Sequence, residues 1–121
     1  MIKGIKFVSI PVSDQDRALV FYTEKLGFRI VTDQQFDQTQ RWIELAIPGA
    51  DTGVVLFTPK GHEGRIGGFS AVSFHCDNLQ RTWEELTARG VVFDAPPKKE
   101  PWGYYVMLRD PDGNQFVLSS R

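Results

Sequence analysis

Phe7-Val-Ser-Ile-Pro-Val-Ser-Asp14 returns in altered form 64 positions later as Ala71-Val-Ser-Phe-His-Cys-Asp-Asn78. In the first copy Val8, Ile10 and Val12 alternate with Phe7, Ser9 and Pro11, the period of a strand with one face on a core. Each copy leads into a stretch of helical periodicity that stops at a glycine, so the chain reads as a duplicated supersecondary unit. After the first copy, Ser13 and Asp16 read as a capping-box-like start, and Ala18, Leu19, Phe21, Tyr22 and Leu26 form an apolar stripe ended by Gly27. Strands are expected over 28–32, 41–47 and 54–58, with the turn Pro48-Gly49-Ala50-Asp51 between the last two.

The second copy repeats the order. A strand over 71–76 precedes a helix over about 78–89 that carries Leu79, Trp83 and Leu86 and stops at Gly90. Strands over 91–93, 105–109 and 115–119 follow, the last two joined by Asp110-Pro-Asp-Gly-Asn114, a strong turn signal. The result is β-α-β-β-β twice, an α+β arrangement: module 1 over about 1–59, a linker over 60–70, and module 2 over about 71–121, together one domain. A second irregular stretch, 95–103, holds Pro96, Pro97 and Pro101 and is read as a loop bordering an opening.

A chain of 121 residues is large enough to bury well over half of its unfolded surface. Fourteen basic and fifteen acidic residues give a net charge of −1, and they are scattered, which excludes a nucleic-acid footprint and a polybasic membrane patch. Cys76 is the single cysteine and closes no intramolecular disulfide, so a reducing compartment is the default. No apolar run reaches the length of a signal peptide or a bilayer span. A cytoplasmic protein without membrane partners is expected. Nine Phe, three Tyr and three Trp point to a packed interior or an aromatic-lined pocket.

Three segments, Ile10-Pro-Val-Ser-Asp-Gln-Asp-Arg-Ala-Leu-Val-Phe-Tyr22, Lys25-Leu-Gly-Phe28 and Arg109-Asp-Pro-Asp-Gly-Asn-Gln-Phe116, resemble the hallmark stretches of the glyoxalase/bleomycin-resistance/dioxygenase superfamily, the vicinal oxygen chelate proteins. The resemblance spans essentially the whole chain. It implies two paired βαβββ modules forming a curved mixed sheet around a cleft, with the helices outside, the pairing being within a chain or between chains. A homodimer is the expected assembly and a small molecule the expected partner. The superfamily includes lyases, isomerases, dioxygenases, thiol transferases and metal-free drug-sequestering proteins, so fold alone does not choose a function.

Metal-using members place His, Glu or Gln on the first and last strands of each module, where a divalent cation binds vicinal substrate oxygens and stabilises the anion that forms. Carried over by resemblance, those positions fall on Phe7, Leu56, Ala71 and Val117. Hydrocarbon offers a hard cation no oxygen or imidazole donor. No metal or other cofactor is therefore expected.

Alternation along the strands puts Ser9, Trp42, Glu44, Val54, Thr58, Ser73, His75, Tyr105, Met107, Gln115 and Ser119 on the same face as those four positions. This largely apolar and aromatic wall suits a small-molecule site, although Phe7, Leu56, Ala71 and Val117 could equally fill the space as core. Trp42 and Trp102 could stack on a planar ligand, whereas Trp83 packs at helical spacing. Tyr104 and Tyr105 are expected to point to opposite sides. Cys76 reads as an inert buried thiol, Lys98-Lys99 as a solvated loop, and Asp110 and Asp112 as turn residues. The leading expectation is a metal-free protein that binds or sequesters a small, partly aromatic molecule. The alternatives are a metal-dependent lyase, isomerase or dioxygenase with Glu44 and His75 as catalytic candidates, and an interaction protein with a filled cleft.

Overall fold

The computed structural model describes residues 1–35 and 37–120; Phe36 and Arg121, the latter the last residue assigned to module 2, lie outside the described residues. The chain divides into two compact units, Met1–Ile66 and Gly67–Arg121. Both are mixed α+β, each with one mixed sheet. The boundary falls inside the expected linker, which shortens to a single 3₁₀ turn, Glu63–Arg65, before the next strand begins at Phe69.

In the first unit β1 (Phe7–Pro11) leads to α1 (Gln15–Val20), which runs on as a π-helical turn over Phe21–Lys25. β2 (Arg29–Gln35), β3 (Arg41–Ala46) and β4 (Gly53–Phe57) follow. The sheet order is β1-β4-β3-β2, with β1 parallel to β4 and the other pairs antiparallel. The helix cap corrects the expectation of Ser13: the N-cap is Asp14, which accepts from the Arg17 backbone N–H at 3.0 Å. Asp14 has the extended dihedrals of a cap while its carbonyl already accepts from Ala18, as a cap residue must. Gly27 closes the segment at φ 80°, a left-handed conformation that glycine adopts without steric cost.

The core of this unit is the helix-side face of the sheet. Ile10, Ile43 and Leu56 sit side by side across β1, β3 and β4, and Val54 beside Leu45, all of them buried. Ala18, Phe21, Tyr22 and Phe28 are buried as well, and the Tyr22 ring stacks on Phe28 with centroids 5.9 Å apart. Gln15, a polar residue without any motif, locks α1 to the sheet. Its amide donates to the carbonyls of Arg41 (2.8 Å) and Leu56 (3.0 Å) and accepts from the Arg41 N–H (3.1 Å).

The second unit repeats this order. β5 (Phe69–His75), α2 (Leu79–Ala88), β6 (Val92–Phe93), β8 (Gly103–Arg109) and β9 (Gln115–Ser120) form a sheet of order β5-β9-β8-β6, with β5 parallel to β9. Asn78, the repeat counterpart of Asp14, caps α2 by accepting from the Arg81 N–H at 3.1 Å. The expected loop over 95–103 is corrected: it contains β7 (Lys98–Glu100), antiparallel to β8. A strand of charged residues has no apolar alternation to betray it, and only pairing with β8 reveals it. Leu79, Leu86, Val106, Leu108, Phe116 and Leu118 are buried under α2. The Asp110–Asn114 turn is a clamp: Asp110 Oδ1 accepts from the N–H groups of Asp112 (3.0 Å) and Asn114 (2.9 Å). Asn114 Oδ1 in turn accepts from the Gly67 N–H at 2.8 Å, tying the start of the unit to β9.

Candidate functional site

Strand register places most candidate residues on one face of their own sheet, helix-side or open. In the first unit Ser9 pairs with Val55 and Glu44 pairs with both Val55 and Thr32. Partners across a ladder point to the same side, so Ser9, Glu44 and Val55 share the open face, together with Phe7, Trp42 and Phe57 two positions along their strands. This corrects the expectation for Val54, Leu56 and Thr58. Leu56 pairs with Ile10 and Ile43 on the helix side, so the open-face occupant of β4 is Val55. The unbroken apolar run Val54-Val-Leu-Phe57 shows no alternation, and its face was fixed only by pairing.

Phe7 and Trp42 stand on strands separated by β4, yet their rings meet edge to face with centroids 5.6 Å apart. The pair bridges the open face, where Val55 is 1 % exposed and Trp42 remains 38 % exposed. Glu44 is half-buried here, and among the described residues no hydrogen bond or ion pair engages its carboxylate. At the end of β4 the Arg65 guanidinium lies over the Phe57 ring, 5.7 Å from its centroid. Arg41 holds Asp33 at 3.0 Å and also Asp16, and these hydrogen bonds raise the guanidinium's pKa above its ordinary value.

In the second unit Ser73 pairs with Val117 and His75 with Ser119, while Met107 and Tyr105 pair with the same two β9 residues from β8. Ser73, His75, Tyr105, Met107, Val117 and Ser119 thus share the open face. Ala71 is exposed and lies in the irregular stretch between the Phe69 and Ser73 pairings. Tyr104 takes the other side, its hydroxyl hydrogen-bonded to Gln80 of α2 at 3.1 Å. At one end of this face Arg109 Nε donates to Asp94 Oδ1 at 2.6 Å, and Gln115 donates to the same carboxylate. These bonds, that from Arg109 foremost, hold Asp94 below the usual carboxylate range.

At the other end an open groove of about 820 Å³ runs past His75, Lys99, Trp102, Tyr104 and Ser119. Trp102, in the turn joining β7 to β8, is 77 % exposed. Lys98, expected as loop, is paired with Glu100 at 2.9 Å, which raises its pKa. A smaller groove of about 510 Å³ lies beside the first turns of α2, where His75 and Cys76 meet Arg81 and Glu85. Cys76 is half-buried rather than buried, its thiol 3.6 Å from the Ser119 carbonyl.

The donor set does not fit a divalent cation. Phe7, Val55, Ala71 and Val117 present hydrocarbon, and among the described residues no three His, Cys, Asp or Glu side chains converge. Among the same residues no helix is long and apolar enough to cross a membrane.

Residues 4–118 match the family model of the Glyoxalase/Bleomycin resistance protein/Dioxygenase superfamily. The uncharacterized protein YetH of Bacillus subtilis (strain 168) is 36% identical over 118 residues, covering 98% of both chains. A crystal structure of a superfamily member from Sphaerobacter thermophilus DSM 20745 superposes with a TM-score of 0.90 at 39% identity, covering 99% of this chain and 98% of that one. The crystal structure of TnmS3, an antibiotic binding protein from Streptomyces sp. CB03234, gives 0.84 at 36% identity, covering 98% and 96%.

Proposed function

Because this chain belongs to the Glyoxalase/Bleomycin resistance protein/Dioxygenase superfamily, we propose that it is a metal-free protein that binds and sequesters a small, partly apolar molecule. One observation carries the reading: hydrocarbon faces the open side of the first and last strands through Phe7 and Val55 in the first unit and of the last strand through Val117 in the second. Binding by area burial needs no donor set, and apolar ligand surface contributes roughly 25 cal/mol per Å² before association costs. The likeness to TnmS3, described as antibiotic binding, supports the same class of ligand.

In this reading the chain is one domain, and the ligand-facing residues are Ser9, Trp42 and Glu44 in the first unit and Ser73, His75, Trp102, Tyr105 and Met107 in the second. A cytoplasmic homodimer is part of the proposal. It is supported by the edge position of β5, whose Phe69 is 67 % exposed. Sedimentation equilibrium of the whole chain tests the dimer.

Metal analysis of protein purified without chelator, paired with thermal shift, tests the site. The expected result is less than stoichiometric nickel, zinc, manganese or iron and no stabilisation by any of them. A saturating aromatic ligand at a hundred times its Kd should instead add about 2.7 kcal/mol, roughly 11 °C for a chain of this length. Stoichiometric bound metal would overturn the reading.

A further inference from the structure

The geometry points to a ligand that carries a protonated amine on an aromatic body, with Glu44 and the rings of Phe7, Trp42 and Phe57 as the cation-binding part of the first unit's open face. This inference rests on the small-molecule reading above and names the class of molecule. Glu44 is a half-buried carboxylate on a face that also carries Phe7, Trp42, Val55 and Phe57, and among the described residues no hydrogen bond or ion pair engages it. Its open-face neighbours across the strands are Val55, Ser9 and Thr32. A cation supplied by a ligand meets both the charge and the negative faces of the rings, the combination that recognises ammonium groups.

A second observation is independent of Glu44. The chain's own Arg65 guanidinium already sits over Phe57, at 5.7 Å, on the same side of β4 as Val55. An aromatic wall that takes an internal cation at its edge has the electrostatic character to take an external one farther along. Arg41 is committed to Asp33 and Asp16. An anionic ligand would meet the Glu44 carboxylate, whose ladder partners Val55 and Thr32 carry no charge.

The test uses three indole probes of closely similar size and different charge: tryptamine, indole-3-propionamide and indole-3-propionate, titrated into the whole chain at pH 7 by ligand-observed NMR. Tryptamine should bind about tenfold more tightly than the amide, the sum of a partly desolvated ion pair and a cation–π contact. The propionate should be weakest. Glu44→Gln should bring tryptamine to within about twofold of the amide and leave the amide unchanged. Glu84→Gln, an equal charge change on the exposed side of α2, should preserve the full preference.

Should Glu44→Gln fail to fold, the wild-type chain still decides the matter. Raising salt from about 0.05 to about 0.5 M should weaken tryptamine several-fold and spare the amide, because screening acts on the charged probe alone. Equal binding of tryptamine and amide, or a preference that survives Glu44→Gln, overturns the inference while leaving a small-molecule site standing. Failure of all three probes to bind counts against both.

Discussion

Replacing Gln15 with leucine deletes the polar tie between α1 and the first sheet while keeping the side chain's bulk. Three hydrogen bonds disappear, to the Arg41 carbonyl, the Leu56 carbonyl and the Arg41 N–H. Each is worth about 1 kcal/mol net, so the loss is about 3 kcal/mol. An unfolding entropy near 2.1 cal/mol/K per residue gives about 0.25 kcal/mol/K for this chain, and the Tm should fall by about 12 °C. Differential scanning calorimetry measures it directly, and urea unfolding checks that the midpoint moves with an unchanged slope. Gln15→Glu should fall at least as far, because a carboxylate there faces two carbonyl oxygens with no proton to donate. A drop below about 3 °C for Gln15→Leu would refute the reasoning, for the helix would then be held by apolar packing alone.

The face assignment in β4 is checked by Leu56→Ala, which should cost about 2–5 kcal/mol by urea unfolding and leave probe affinity unchanged, since Leu56 belongs to the core. Asp94 titrates low because it is bonded to Arg109. A depressed carboxylate contributes stability above its unfolded pKa and loses it as pH falls through the folded one. Asp94→Asn should therefore flatten the acid limb of a stability–pH profile below the ordinary value of 3.8 and change nothing in shape above pH 6. Trp102→Ala should leave Tm within about 2 °C of wild type, given its exposure, while weakening any aromatic ligand seated in the groove beside His75.

Much of the architecture was legible along the chain because its signals are local. Glycines at 27 and 90 stop the helices, and the Asp110–Asn114 turn joins two apolar runs. The misread strand extents were of one kind. β2 extends through Asp33, Gln34 and Gln35, and β7 consists of Lys98, Lys99 and Glu100; polar edge strands carry no alternation because neither face needs a core. The helix cap moved by one residue, from Ser13 to Asp14, a choice between adjacent good cap formers that backbone dihedrals decide. Gln15 was missed because its partners are backbone groups on strands far along the sequence, and nothing in its neighbourhood announces them.

By itself the amino-acid sequence determined the duplicated βαβββ order, the superfamily, and the shortage of metal donors at the expected strand positions, since residue type and period-2 or helical spacing are properties of the linear chain. Which hydrocarbon faces the open side of β4, Val55 rather than Leu56, was decided only by pairing with Ser9 and Glu44. The same holds for the meeting of Phe7 with Trp42 and of Arg65 with Phe57. Face and proximity arise from hydrogen-bond register between strands distant in sequence, and a run apolar on both sides has no one-dimensional mark of which way each residue turns.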